Sequence, residues 1–282
     1  MRTAANETSA RPTRVLTGLT ALIFAMLAAA MYRHEPWVVS AWPWPEAPIS
    51  FVFLASITAS VATVWFSVAL TGELAALAGV GLNIVVAAGG AVLFLAWQIV
   101  ASGPAGLWPA LGLAVASGLF GLWLWGATRA LPVHDPRALP RFVRWAYLAF
   151  TVTLIVAGTA LVLQRQVFPW ALHPSSATLF GCIFLGAAAF FANAVHSGRW
   201  AIAAPALWGF LAYDLVLFVP YLQLLSVGGA AADDIYGAGQ QVNMASLAIY
   251  LSVLTASTLL ALYAALLHPA TRLWRAVSGP AP

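Results

Sequence analysis

Long apolar stretches follow one another along the whole chain, separated by short breaks rich in Arg, Gly, Pro and Glu. A bilayer core of about 30 Å needs about 20 helical residues at about 1.5 Å each. Stretches of that length fall at about 15–32, 49–70, 74–98, 105–128, 142–164, 176–196, 200–226 and 243–267. The breaks carry turn and charge signals, among them Arg33-His34-Glu35-Pro36, Thr71-Gly72-Glu73, Ser102-Gly103-Pro104, Arg129 to Arg144 and Ser197-Gly198-Arg199. No stretch alternates in polarity as a barrel strand does, and a lipid-exposed backbone must close its own hydrogen bonds. The pattern predicts an all-α polytopic bundle of eight transmembrane helices, with residues 1–282 as a single transmembrane domain.

Composition agrees with that reading. Of 282 residues, 62% are hydrophobic and 7% charged, against roughly 25% charged in soluble domains. A soluble monomer is therefore excluded, and disorder is excluded by the same numbers. The net charge of +4 comes from arginine alone. With the amino terminus inside, Arg2, Arg11, Arg14, Arg129, Arg137, Arg141, Arg144, Arg199, Arg272 and Arg275 fall on the inner side, leaving only Arg33 and Arg165 outside. The positive-inside rule thus predicts both termini in the cytoplasm. The missing lysine and the Ala, Arg and Trp richness point to a bacterial inner membrane. A cleaved signal peptide ending at Ala28-Ala29-Ala30 is the rival reading of the first stretch. Its long polar start and its run into Met31-Tyr32 favour a retained helix.

Tryptophans sit near the breaks: Trp37 and Trp42-Pro43-Trp44-Pro45, then Phe168-Pro169-Trp170, and Trp145, Trp200 and Trp274 close after arginines. They are expected to form interfacial belts. Tight hairpins allow two four-helix halves joined by the basic loop 129–144, but no repeat between them stands out in the residues. The sixth and seventh helices are expected to pack as a tight hairpin, with Gly181, Gly186 and Ala187–Ala189 facing other helices.

Candidate chemistry is sparse. Asp214, next to Tyr213, is the one acid well inside a stretch, where a carboxylate costs on the order of 3 kcal/mol. Its helical neighbours Phe210, Leu211, Leu217 and Phe218 offer little help, so it is expected either to stay a neutral acid or to be hydrogen-bonded by a neighbouring helix. It is either interhelical glue or part of a proton or solute path. Companions for such a path are Asn83 and Gln98 on the third helix, Asn193 on the sixth, and the stripe Ser56, Ser60, Thr63, Ser67, whose spacing places it on one face of a helix. Helix eight adds Tyr250, Ser252, Thr255, Ser257 and Thr258.

Several enzyme classes lack their residues. His34, His134, His173, His196 and His268 all lie in loops or at helix ends, whereas haem or haem-copper centres need imidazoles inside the bundle. The His173-Pro174 opening and the run Leu185-Gly186-Ala187-Ala188-Ala189-Phe190-Phe191 resemble a core helix of haem-copper oxidases. The ligand histidines of such a core are missing, so no function is carried across. Without lysine there is no retinal Schiff base, and no HExxH occurs. The single Cys182 excludes an intrachain disulfide. His34, Glu35, Glu46, His173, Asp233 and Asp234 could meet on the outer side, although solvated loop polarity is the plainer expectation. No cofactor or metal is expected, and the expected partners are the lipid bilayer and other membrane proteins, with no nucleic acid. The first expectation is a non-enzymatic accessory or structural membrane subunit. The alternative is a small-solute or proton-coupled transporter that uses Asp214.

Overall fold

The structure, a computed structural model, describes residues 3–103, 106–227, 242–269 and 271. Eight long helices account for the apolar stretches: α1 Thr3–Tyr32, α2 Pro48–Thr71, α3 Leu77–Ser102, α4 Trp108–Thr128, α5 Arg141–Val162, α6 Pro174–Ser197, α7 Trp200–Val227 and α8 Met244–Leu262. All eight are long and apolar enough to cross a membrane. A 3₁₀ turn at Leu74–Ala76 leads into α3, and a π turn at Tyr263–Leu267 ends α8. Among the described residues there is no strand, only an isolated antiparallel bridge between Ala138 and Arg199.

Local signals set the helix ends. Both α2 and α6 open on proline, whose missing N–H would be unpaired there in any case. Both close on a left-handed glycine, Gly72 (φ 75°) and Gly198 (φ 62°). Each is 24 residues long.

Helix packing repeats itself. In one row α1 lies on α2, α2 on α7 and α7 on α8; in the other α5 lies on α6, α6 on α3 and α3 on α4. Adding four to each number in the first row, with α7 and α8 returning to α3 and α4, yields the second. The glycines at the crossings show the symmetry in detail. A Cβ on Gly209 would stand 2.7 Å from Ser60 Oγ, and one on Gly186 would stand 2.5 Å from Asn83 Oδ1. Ser60 and Gly186 are 126 positions apart, and so are Asn83 and Gly209. Such an exchange of partners is the mark of a two-fold axis. Each half holds four crossings, so both run in the same sense and the axis lies along the bundle.

The same spacing of 126 relates Trp44, Pro48, Ser50 and Gly72 to Trp170, Pro174, Ser176 and Gly198. The ends of α1 and α5 also match, at a spacing of 130. His34 (φ 55°) and Gln164 (φ 56°) both turn left-handed. The next amides close the same bonds, Glu35 N–H to Ala30 O at 3.0 Å and Arg165 N–H to Ala160 O at 2.8 Å. The spacing drops by four where the first half carries the four-residue, one-turn helix Pro36–Val39. The chain is thus an internally repeated protein, a relation its residues had concealed.

Two expectations need correction. Trp170 and Trp200 do not belong to a lipid-facing belt: they are 2% and 4% exposed. Trp170 packs against Phe53, Phe168 and Tyr221. Trp37 and Trp145, by contrast, are exposed, whereas Trp274 lies outside the described residues. Nor do α6 and α7 form a tight hairpin. Bulky rings meet between them, with Phe191 stacked on Phe210 at 4.7 Å. The small residues of α6 serve other neighbours, Gly181 fitting Gly158 of α5 and Gly186 fitting Asn83 of α3. Close approach follows the glycines and not the order of the chain.

Candidate functional site

Phe210, Asp214 and Leu217 share a face of α7, and Tyr250, Val253, Leu254 and Ser257 share a face of α8, by helical spacing alone. Packing of α8 on α7 brings two hydroxyls to the carboxyl. Ser257 Oγ donates to Asp214 Oδ2 at 2.7 Å, and Thr258 Oγ1 donates to the same oxygen at 3.1 Å. The carbonyl of Val253 lies 2.9 Å from Ser257 Oγ, so that hydroxyl can turn between backbone and carboxyl. Asp214 is 1% exposed. Its Oδ1 is buried without a hydrogen-bond partner, an unusual state for such an atom.

Beside this pair is a cavity of about 680 Å³, and all eight helices contribute to its wall. Small-molecule sites span about 300–1,000 Å³ and are mostly apolar with a few polar groups. This wall fits that description: among the described residues Asp214 is the only acid in it, and none of its described residues is Arg or His. The wall obeys the two-fold axis. Ile57 and Ile183, Trp65 and Phe191, Ile84 and Phe210, Ala87 and Tyr213, and Ala88 and Asp214 all line it, each pair 126 positions apart. The cavity therefore straddles the seam between the repeats. Its chemistry is lopsided, because alanines stand in the first half where the second has Tyr213 and Asp214.

The residues singled out from the sequence divide in two. Asp214, Tyr213, Asn83 and Ser60 line the cavity. Ser56, Thr63, Ser67 and Asn193 are not among its lining residues. Ser56 Oγ donates to Phe53 O at 2.7 Å and Thr63 Oγ1 to Ala59 O at 2.9 Å, while Ser67 is buried. Asn193 stands against Gly79 of α3. The lining face of α2 is Ile57, Ser60, Val61, Val64 and Trp65, turned by about one residue from the hydroxyl stripe. Sequence reasoning missed Ser117, Thr153 and Ser246, which also line the wall; single hydroxyls in apolar helices carry no signal of their own.

Polar clamps stand at both ends of the bundle, built on the two glutamates that flank α2. At one end Glu46 Oε2 accepts from Ser50 Oγ at 2.9 Å, and Oε1 accepts from the His173 N–H at 3.1 Å. Indole N–H groups cross the seam in both directions, Trp170 to Ser50 and Trp42 to Ser176, each at 3.0 Å. The Trp44 and His173 rings stack at 6.2 Å. At the other end the buried Glu73 accepts from the N–H groups of His134 (3.1 Å) and Asp135 (2.7 Å). The loop holding them joins the α6–α7 turn, with Leu139 N–H on Gly198 O at 2.8 Å and Trp200 N–H on Arg137 O at 2.9 Å. Beside it Arg137 holds the Asp135 carboxyl below the usual carboxylate range through a side-chain hydrogen bond.

Of the loop acids and histidines, Glu46 and His173 do meet, through a backbone amide. Glu35 pairs with Arg33 at 3.9 Å, and His34 Nε2 bonds the carbonyl of Pro48 at 2.9 Å. Asp233 and Asp234 lie outside the described residues. Among the described residues no three His, Cys, Asp or Glu side chains are grouped to hold a metal ion. Comparison of the chain with protein-family models, curated proteins and solved structures finds no match.

Proposed function

We propose that this multi-pass membrane protein is a small-solute carrier whose binding site is the cavity at the seam of its two repeats. The observation that carries this reading is the placement of that cavity. Carriers built from repeats hold their sites near the bilayer midplane where the repeats meet, and they work by rocking one repeat against the other. Parallel repeats with an axis along the membrane normal are one such plan. The Glu46 and Glu73 clamps then serve as gates at the two ends, with Asp214 as the polar anchor between them. The arginine-rich Glu73 end faces the cytoplasm of a bacterium across its inner membrane.

The second reading, an accessory or structural subunit, rests on the apolar faces turned away from the bundle, such as Leu16, Ile23 and Met26 of α1. Lipid alone can cover those faces, and this role leaves the cavity without a purpose. Alkylation separates the two readings. Ile57→Cys in a Cys182→Ser background places one thiol in the cavity wall. A carrier exposes it to a membrane-impermeant maleimide from both sides of sealed vesicles. Protection from both sides, with labelling only by a permeant maleimide, sinks the carrier reading. Co-purification with one stoichiometric membrane partner would then favour the subunit.

A further inference from the structure

We infer that the solute class is an amphipathic organic cation, its charged head beside Asp214 and its apolar body across the seam in the first-half lobe. This rests on the carrier reading and deepens it. Three features of the wall converge. Among the described residues Asp214 is its only acid, no basic side chain lines it, and Oδ1 lacks a partner. Ser257 and Thr258 both donate to Oδ2, which leaves the other oxygen for a cationic head. Tyr213 and Tyr250 line the cavity on the adjacent faces of α7 and α8, and aromatic faces attract organic cations, most strongly where water is excluded.

Breakage of the two-fold symmetry fixes the polarity of the ligand. The position equivalent to Asp214 is Ala88, and the first-half wall presents Trp65, Ile84 and Phe120 with the uncharged Ser60, Asn83 and Ser117. An uncharged, mostly apolar body fits there, whereas a small inorganic cation would leave that lobe empty. A symmetric dication finds no second acid.

The test uses probes of matched shape and different charge on the purified full chain in detergent: tetraphenylphosphonium, neutral tetraphenylsilane and tetraphenylborate. The expected result is one site that binds the cation about tenfold or more tighter than the neutral probe, with the anion weakest. Asp214→Asn removes the preference and keeps neutral binding, whereas Asp214→Glu restores it. Ile84→Trp, which fills the apolar lobe, abolishes binding of both. Equal binding of cation and neutral probe by the wild-type chain overturns the cation assignment and leaves the carrier reading standing. So does tighter binding of tetraphenylborate. Cation binding that survives Ile84→Trp lies outside the cavity and also overturns the assignment. No binding of any probe to the wild-type chain also overturns the assignment, and the carrier reading then stands or falls on the alkylation of Ile57→Cys. The wild-type comparison needs no variant to fold.

Discussion

Single residues set how near the helices come. Gly186 and Gly209 are equivalent positions, and at each the missing Cβ is what lets a neighbouring backbone approach: Asn83 O would stand 2.6 Å from a Cβ at Gly186, and Ser60 O 3.3 Å from one at Gly209. Gly126 has nothing within 4 Å of the same imagined atom. Gly186→Ala is therefore expected to destabilise the protein by about 1–3 kcal/mol, the usual cost of overpacking. Gly126→Ala should be neutral or mildly stabilising, since alanine is the better helix former. Thermal unfolding in detergent compares them, and equal midpoints for the two variants would contradict the crossing geometry. Asp214 marks the limit of residue-scale reading. Its cost in the membrane was legible from the chain, and a partner on another helix was one of two ways to meet that cost. The choice of Ser257 and Thr258 was not, because several hydroxyls of α8 had equal claim until packing selected a face.

Elements divide the work. Apolar length makes each helix, and the turns decide how helices join. The Thr71-Gly72-Glu73 break read as a turn because it holds a glycine and a charge. What the turn does with that charge depends on a loop 61 positions away, whose His134 and Asp135 amides it receives. Glu73→Ala leaves two partly buried N–H groups unpaired, at about 1–3 kcal/mol each. Hydrogen exchange should reveal this locally, with faster exchange across residues 132–140 and unchanged protection in α8. A loss of protection spread evenly over the bundle would show that Glu73 supports the whole fold and not a gate.

For the molecule as a whole, the even count of helices and the bias of arginines give an orientation that can be measured. Trp37→Cys lies at the Glu46 end and Ala130→Cys at the Glu73 end. In intact cells an impermeant maleimide is expected to label the first and to reach the second only after the inner membrane is broken. The reverse pattern inverts the assignment of sides and leaves the fold as it is. The repeat also belongs to this scale. Its traces in the chain are a few residues, Trp44, Pro48, Ser50 and Gly72 against Trp170, Pro174, Ser176 and Gly198. They lie where helix ends and seam contacts constrain the residue type. Lipid-facing positions accept any apolar side chain, so the rest of each helix kept no likeness.

The sequence by itself determined the medium and the secondary structure, because a chain with so few charges dissolves only in lipid and lipid forces each segment to pair its own backbone. It also determined that Asp214 would stand apart. Tertiary structure alone decided which helices touch, that the two halves are related by a two-fold axis, and that a cavity opens at their seam. Those outcomes depend on contacts between side chains 100 or more positions apart, such as Asn83 with Gly186 and Ser60 with Gly209. A hydrophobic pattern shared by every segment cannot choose among such partners; the shapes of particular side chains can.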